Sequence, residues 1–244
     1  MRGTVLGEDA RARLAALVDG LGLQPTDPSP CPYLPGRDSR LVMLRPNRFL
    51  PALYHLFLDL NFRRLGHGVY RPECDGCREC RQLRVNVTAF RPSRAQRRCL
   101  KRNADVALER GPPKATTEKH EVYGRYLASR HDGQMSGSCE EFADFLHDAP
   151  PFTREVVFRV GGRLVGAGIF DVLPQALSAV YFYFDPDFED RSPGTFNVLW
   201  LVEECRQLGV PWLYLGYYVA GSPSMVYKAS FRPHQLLGED GEWR

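Results

Sequence analysis

The sequence predicts an α+β fold of two lobes, and three observations lead to it. After residue 111 the predicted elements run helix, helix, strand, strand, strand, helix, strand, so both element types share one lobe. Gly111-Pro112-Pro113 continues neither a helix nor a strand and indicates a linker. The chain before this tripeptide holds most of the cysteines and a block of arginines. We therefore expect one lobe over residues 1–110 and another over residues 111–244.

Apolar periodicity and turn residues predict the elements of the first lobe. A short amphipathic helix is followed by a Pro-rich connector that excludes helix, then by a strand, a helix that opens at a proline, a second strand and a basic helix that opens near a serine. In chain order these elements are predicted over residues 8–22, 41–44, 51–60, 83–87 and 92–105.

The second lobe is predicted from the same signals. Two helices come first, and Gly161-Gly162 then separates two strands in the manner of a hairpin turn. A third strand rich in Val, Tyr and Phe, a helix and a last strand follow. The predicted ranges are 117–130, 138–147, 153–160, 163–172, 177–184, 194–208 and 212–218.

Composition limits the class of protein. No apolar run approaches the roughly 18 to 20 residues that cross a bilayer, and the charged start lacks the apolar centre of a signal peptide. The seven cysteines are odd in number in a chain of 244 residues, which favours reduced thiols or metal ligands over a disulfide framework. We expect a cytoplasmic protein with no membrane partner.

Basic residues are concentrated between Phe62 and Asn103. This basic block holds 12 Lys or Arg against 3 Asp or Glu, whereas the net charge of the whole chain is only +3. The rest of the chain is therefore net acidic. Such an imbalance favours a polyanionic partner, above all nucleic acid. Arginine stems that cover apolar surface would produce the same composition.

Three cysteines follow one another at the spacing C-x2-C-x2-C. This spacing places Cys74, Cys77 and Cys80 within reach of one centre, and Cys31, between two prolines, is a natural fourth ligand. A structural zinc ion or an iron–sulfur cluster would fit, and we expect the surrounding arginines to lower the pKa of the thiols. Reduced thiols packed as small apolar groups are the alternative. A second C-x2-C pair, usual in zinc ribbons, is absent from the sequence.

Two further segments have the composition of binding sites. Arg191-Ser192-Pro193-Gly194-Thr195 lies between a predicted strand and a predicted helix, where free N–H groups and the helix dipole attract an anion. An ordinary helix cap is the alternative. The segment from Leu215 to Tyr218, followed by Met225-Val226-Tyr227-Lys228, combines aromatic residues, a Gly and a Lys at a strand end. That combination is typical of a pocket rim and equally of a packed sheet edge.

Together these segments resemble the arginyl-tRNA–protein transferase superfamily, and most of all its bacterial aspartate/glutamate leucyltransferase branch. The stretches that carry the resemblance are collinear and cover roughly residues 31–233. They are Cys31-Pro-Tyr-Leu-Pro, Asn61-Phe-Arg-Arg-Leu-Gly, Val69-Tyr-Arg-Pro, Cys74 through Cys80, Arg94-Ala-Gln-Arg-Arg, Arg102-Asn-Ala-Asp, Ser129-Arg-His with Asp132-Gly, Leu177 through Pro186, Arg191-Ser-Pro-Gly-Thr, Leu215-Gly-Tyr-Tyr and Met225-Val-Tyr-Lys.

The resemblance implies a fold and an activity. The second lobe would have an acetyltransferase-like (GNAT) mixed sheet flanked by helices. The protein would transfer leucine from leucyl-tRNA to the N-terminal α-amine of proteins that begin with Asp or Glu, marking them for degradation, and the chemistry would need no cofactor. Larger eukaryotic relatives transfer arginine. Pro193 departs from the apolar residue usual in the family, although a proline is tolerated in the first turn of a helix.

For this reaction we expect three groups of side chains. Asp185 would accept or orient the proton of the attacking amine, unless it is only a turn residue, and Tyr217 or Tyr227 would stabilise the oxyanion. Paired, charge-assisted hydrogen bonds would hold the carboxylate of the acceptor, and the candidates for them are Arg63, Arg64, Arg71 and Lys228. The basic block would hold the acceptor stem of the tRNA, and the tRNA 3′ end would contact Arg191, Ser192, Gly194 and Thr195.

Other functions stay open at this point. An arginyl-tRNA–protein transferase would use the same acceptors. An N-acyltransferase that uses acyl-CoA would need a fuller Gly-rich loop and would leave the basic lobe unexplained. A metal-stapled RNA-binding module without catalysis would explain the cysteines and the arginines but not the elaborate second lobe.

Overall fold

The computed structural model describes residues 5–46, 50–130 and 138–244, with side chains from Asp9 onward. His131, Asp132 and Gly133, which belong to one of the stretches above, lie outside these ranges. The α-helices are α1 (Val5–Gly20), α2 (Pro51–Leu58), α3 (Arg94–Arg102), α4 (Thr117–Arg130), α5 (Cys139–Leu146) and α6 (Pro193–Gln207). Short 3-10 helices cover Pro186–Arg191 and Val226–Ser230.

The strands follow in chain order. They are β1 (Ser29–Pro30), β2 (Asp38–Ser39), β3 (Leu41–Leu44), β4 (Arg63–Leu65), β5 (Gly68–Pro72), β6 (Arg81–Asn86), β7 (Ala107–Gly111), β8 (Thr153–Val160), β9 (Arg163–Leu173), β10 (Ala176–Phe184), β11 (Trp212–Tyr218) and β12 (His234–Leu236).

The chain divides into two compact units, and the division differs from the predicted boundary after residue 110. Unit 1 comprises residues 1–86 and 214–244, and unit 2 comprises residues 87–213. Gly111 ends strand β7, which pairs with β8 from Ala107 opposite Arg159 to Gly111 opposite Glu155. This pairing draws the chain before the predicted linker into the second unit, because a strand with a full ladder does not act as a linker.

Unit 1 contains two small sheets and one further run of strands. Strands β3, β5 and β4 form an antiparallel sheet in that order, and β1 pairs with β2. Strand β6 lies between β12 and β11. Pro51 opens α2, where its missing N–H is not needed, and the buried Tyr54, Phe57 and Leu58 turn the helix toward the core.

Unit 2 contains an antiparallel meander of the strands β7, β8, β9 and β10. Gly161 and Gly162 make the hairpin turn between β8 and β9, with φ angles of 56° and 84° that favour glycine. The predicted order of helix, helix, three strands and helix is confirmed in this unit.

Alternating side chains place helices on both faces of the meander. Val157, Ile169 and Tyr183 belong to the buried cluster that α4 and α5 complete. The neighbouring residues Phe158 and Phe170 point the other way, and their rings contact Trp200 of α6. The α+β class, with a sheet flanked by helices, is therefore confirmed.

Helix α3 begins as the sequence predicts. The Ser93 hydroxyl accepts a hydrogen bond from the backbone N–H of Gln96 at 3.2 Å, and the Gln96 side chain accepts one from the N–H of Ser93 at 2.8 Å. This reciprocal capping box stabilises the start of a helix that carries many like charges. In the described ranges, no helix combines the length and the apolar character that crossing a bilayer requires.

Candidate functional site

A cavity of about 250 Å³ lies in unit 1. Its walls are mostly apolar and aromatic, with Arg37 and Asp38 as the charged residues among them. The lining includes Leu34, Leu41, Leu65, Tyr33, Tyr70, Tyr217 and all four cysteines of the predicted metal site, Cys31, Cys74, Cys77 and Cys80. The structure thus brings residues that lie up to 186 positions apart in the chain to one apolar chamber.

The four cysteines converge, but their arrangement does not match a metal centre. Within residues 5–46, 50–130 and 138–244, no group of three or more His, Cys, Asp or Glu side chains is placed to hold a metal ion. Burial and the neighbouring thiols raise the pKa of Cys80 to about 12, so its sulfur keeps its proton. The expectation that nearby arginines lower the thiol pKa is therefore wrong for Cys80. A metal or cluster stays a prediction from the spacing alone.

The hydroxyl of Tyr217 is engaged by the backbone. It donates to the carbonyl oxygen of Asn61 at 2.8 Å, and the carbonyl oxygen of Tyr70 lies at 3.3 Å. Burial raises the pKa of Tyr217 well above its ordinary value. The hydroxyl therefore fixes β11 to the segment that contains β4 and β5, and the ring forms part of the cavity wall.

Arg63 packs against a glycine of β11. Gly216 has a φ of 78°, and a Cβ built on it would lie 2.9 Å from Cζ of Arg63. Only a residue without a side chain accepts both the backbone angle and this contact. Arg63 itself is buried, with 7% of its surface exposed. The glycine of the Leu215-Gly-Tyr-Tyr motif is thus required because it leaves room for the buried guanidinium of Arg63.

Lys228 is a second buried cation in the same unit. It is 8% exposed, and its Nζ donates to the carbonyl oxygen of Tyr217 at 2.6 Å. Burial, helped by the charge of Arg63 and opposed by Cys80, lowers the pKa of Lys228 to about 7. The side chain is therefore poised between a charged and a neutral form at cellular pH.

The remaining candidates of unit 1 differ in exposure and partners. The Arg64 guanidinium donates to the carbonyl oxygen of Gly66 at 3.1 Å, and Arg64 is 5% exposed. Arg71 forms an ion pair with Glu73, at 3.2 Å from Nε to Oε2, and its guanidinium lies over the ring of Phe62. Tyr227 is 46% exposed.

Asp185 lies in unit 2, where it holds two arginines. Its Oδ2 accepts hydrogen bonds from Arg125 at 2.8 Å and from Arg163 at 2.7 Å, and its side chain caps the following 3-10 helix by accepting from the N–H of Asp187. Burial raises the pKa of Asp185, but the hydrogen bonds from Arg125 and Arg163 outweigh this effect and lower it overall. A carboxylate with a lowered pKa is a weak base, which favours the turn-residue alternative.

The loop before α6 also lies in unit 2. Arg191 forms a two-pronged pair with Asp105, at 2.6 Å to Oδ1 and 3.1 Å to Oδ2. Ser192 adopts a left-handed φ of 56° and precedes Pro193 as the N-cap of α6. Gly194 has open space where a Cβ would lie. The first N–H groups of α6, as at the start of any α-helix, lack intrahelical partners and are suited to an anion, and the guanidinium of Arg191 helps to hold the loop.

Sequence reasoning missed the residues that position this loop. Asn103 donates through Nδ2 to the carbonyl oxygen of Arg191 at 2.8 Å, and Asp105 pairs with its guanidinium. Both belong to the Arg102-Asn-Ala-Asp stretch that contributed to the resemblance. The sequence therefore pointed to these two residues but did not indicate that they hold the loop. Arg125 and Arg163, the partners of Asp185, gave no signal in the sequence.

The structure thus sorts the predicted site residues between the two units. Unit 1 holds Arg63, Arg64, Arg71, Lys228, Tyr217, Tyr227 and the four cysteines. Unit 2 holds Asp185, Arg191, Ser192, Gly194 and Thr195. The individual roles assigned to these side chains stay predictions.

Comparison with known proteins adds the family to this geometry. The family model described as arginine-tRNA-protein transferase, N terminus, matches residues 29–98, and its C-terminus counterpart matches residues 118–238. The aspartate/glutamate leucyltransferase of Halorhodospira halophila is 42% identical over 221 residues, which cover 88% of this chain and 92% of that protein. The protein of the same name from Pseudomonas aeruginosa is 41% identical over 215 residues, or 87% and 92% of the two chains.

The crystal structure of FemX has a similar fold. It matches 93% of this chain and 74% of its own length with a TM-score of 0.53 at 8% identity. The expected acetyltransferase-like sheet is confirmed by this match at the level of the fold. By sequence and by domain content, the chain belongs to the arginyl-tRNA–protein transferase family, in its aspartate/glutamate leucyltransferase branch, and is an aminoacyltransferase.

Proposed function

We propose that this protein transfers leucine from leucyl-tRNA to the N-terminal α-amine of proteins that begin with Asp or Glu, in the cytoplasm, and so marks them for degradation. The observation that carries the proposal is the 42% identity to a protein named aspartate/glutamate leucyltransferase over nearly the whole length of both chains. The two family matches together span every predicted site residue.

The reaction is an aminolysis of an ester. The amine nitrogen of the acceptor attacks the leucyl carbonyl carbon, a C–N bond forms, the ester C–O bond breaks, and the ribose hydroxyl of the tRNA leaves with a proton. The ester is already activated, and a free α-amine has a pKa near ~7.7–8.0, so little acid–base power is needed. Alignment of the two reactants is worth roughly 7–11 kcal/mol and supplies much of the rate.

The acceptor's acidic first residue needs cations, and unit 1 supplies them. Arg63 and Lys228 are both buried, and the pKa of Lys228 shows that their charges already affect each other. A carboxylate bound beside them would restore the charged form of Lys228 and gain charge-assisted hydrogen bonds. We therefore favour Arg63 and Lys228 as the acceptor-binding pair, because a charge-assisted hydrogen bond to a carboxylate is stronger for cations that are held away from water.

The charged tRNA needs an anion site and donors for the oxyanion. The N–H groups of Gly194 and Thr195, in the first turn of α6, would suit a phosphate of the 3′ end. The hydroxyl of Tyr217 already donates to the backbone. Tyr227, which is 46% exposed, or backbone N–H groups near Gly216 would then stabilise the oxyanion.

A transfer assay tests the proposal. The protein is incubated with tRNA charged with radiolabelled leucine or arginine, and with peptides that begin with Asp, Glu or Lys. We expect leucine on the Asp and Glu peptides only. Transfer of arginine instead would support the other donor, and binding of charged tRNA without transfer to any peptide would contradict the function.

A further inference from the structure

The structure divides the basic block into side chains with internal partners and side chains without them. In unit 1, Arg81 donates to the carbonyl oxygen of Leu237 at 2.9 Å, and Arg78 donates to that of Cys74 at 2.8 Å. Arg84 stacks 4.0 Å from the ring centroid of Trp243. These cations make contacts that stabilise the unit itself.

Helix α3 of unit 2 is different. Its sequence from Arg94 to Arg102 has five basic residues and no acidic one. Arg94, Arg98 and Lys101 are exposed, and none of their charged groups has a hydrogen-bond or ion-pair partner among residues 5–46, 50–130 and 138–244. The spacing of four and three residues places them in one stripe along the helix, which we call the α3 stripe.

The opposite face of α3 is packed. Gln96 and Cys99 are buried, and Asn103 at the end of the helix is 3% exposed. The helix is thus held rigidly by one face while the α3 stripe points outward. Like charges four residues apart destabilise a helix by mutual repulsion. A bound polyanion would offset this repulsion in the α3 stripe.

Helix α3 is fixed to the loop before α6 by its buried side. The thiol of Cys99 lies 3.7 Å from the carbonyl oxygens of both Arg191 and Ser192, and Arg102 donates to that of Asp190. Arg191 in turn donates to the carbonyl oxygen of Arg102 at 3.1 Å. The loop therefore holds the helix within unit 2, while the α3 stripe lies on the other side of the helix.

We propose that the α3 stripe binds the phosphates of the double-stranded acceptor stem of the charged tRNA. The stripe runs from Arg94 to Lys101, about 10 Å of helix, which is enough to face about three successive phosphates of one strand. Exposed Arg and Lys without internal partners are the groups that bind a nucleic-acid backbone without reading its sequence. This inference rests on the proposed use of aminoacyl-tRNA.

The experiment compares two variants of the full-length protein that lose the same charge. The test variant is Arg94→Ala/Arg98→Ala/Lys101→Ala. The control variant is Arg13→Ala/Lys114→Ala/Arg232→Ala, which removes three exposed cations that lie elsewhere. Thermal unfolding of both checks that the fold is kept, and affinity for leucyl-tRNA is measured between low and moderate salt.

We expect the test variant to bind leucyl-tRNA at least about tenfold more weakly at low salt and to lower the slope of log affinity against log salt by about 2 to 3. The control should keep both the affinity and the slope of the unmodified protein. Equal slopes for the test variant and the unmodified protein would overturn the inference, and so would an equal loss in both variants.

A second measurement separates the acceptor stem from the 3′ end. Transfer is assayed with a leucylated acceptor-stem minihelix and with a leucylated CCA trinucleotide. The test variant should have a raised KM for the minihelix and an unchanged KM for the trinucleotide. If KM rises only for the acidic acceptor peptide, the stripe binds the peptide and the inference fails. If the unmodified protein transfers leucine from neither donor, the proposed function fails instead.

Discussion

Lys228 should make the stability of this protein depend on pH. Its ammonium group is buried beside Arg63, and its Nζ has a single hydrogen bond, to the carbonyl oxygen of Tyr217. Folding therefore lowers the pKa of Lys228 from the ordinary 10.5 to about 7. Lys228→Met keeps the length of the side chain and removes the charge. We expect it to lower the unfolding free energy, relative to the unmodified protein, most strongly at high pH.

The sign and size follow from proton binding. Between pH 7 and 10.5 the unfolded chain keeps the proton on Lys228 and the folded chain has lost it, so stability rises with pH in this window. Below pH 7 both states are protonated and the change stops. Each pH unit inside the window is worth about 1.4 kcal/mol. From pH 6 to pH 9, the unfolding free energy of the unmodified protein should gain about 2.7 kcal/mol over that of the variant.

Urea unfolding at pH 6, 7, 8 and 9 measures this difference. Other titrating groups are common to both proteins and cancel in the subtraction. Lys114→Met, at an exposed lysine, provides the control and should give a difference that does not change with pH. A pH-independent difference for Lys228→Met would refute the reasoning, because it would mean that folding leaves the proton affinity of Lys228 unchanged.

Two more substitutions test individual contacts. Gly216→Ala should lower the unfolding free energy by about 1–2 kcal/mol because of the left-handed backbone alone. It should also raise KM for Asp-starting peptides, because the new Cβ displaces Arg63. Gly209→Ala is the control for the backbone effect, since Gly209 has a φ of 69° and open space around its Cβ position. Asp185→Asn should destabilise the protein at neutral pH but leave the rate of transfer nearly unchanged. The lowered pKa of Asp185 adds stability above pH 3.8 that is lost as the pH falls, so urea unfolding at pH 7 and 3 should show the two proteins converging. A large loss of transfer with a normal KM would instead assign Asp185 to the chemistry.

The sequence was sufficient for the elements whose patterns are local. The capping box at Ser93 and the diglycine hairpin at Gly161 appear where they are predicted, because each depends on residues a few positions apart. The boundary between the units could not be read in the same way. The Gly111-Pro112-Pro113 segment has the composition of a linker. The conformation of Gly111, however, is set by the pairing of β7 with β8, and the paired residues of β8 lie more than 40 positions further along the chain.

The candidate site shows the same limit. The residue types were predicted, but their partners were not, because a partner such as Asp105 for Arg191 is a matter of tertiary contact. The consequence is chemical as well as geometric. Arg191 is predicted to attract an anion, and its pair with Asp105 also makes it a support for the loop before α6.

The environment of a cation, and not the number of cations, decides what it binds. Arg63 and Lys228 are removed from water, so they are suited to a single anion in direct contact, and burial lowers the pKa of Lys228 to about 7. The α3 stripe stays hydrated and is suited to a row of phosphates whose attraction is screened by salt. Under the two proposals, the buried pair would therefore serve the acidic acceptor, and the α3 stripe, with its salt dependence, would serve the tRNA. The net charge of +9 for the basic block, from 12 basic and 3 acidic residues, conceals this division.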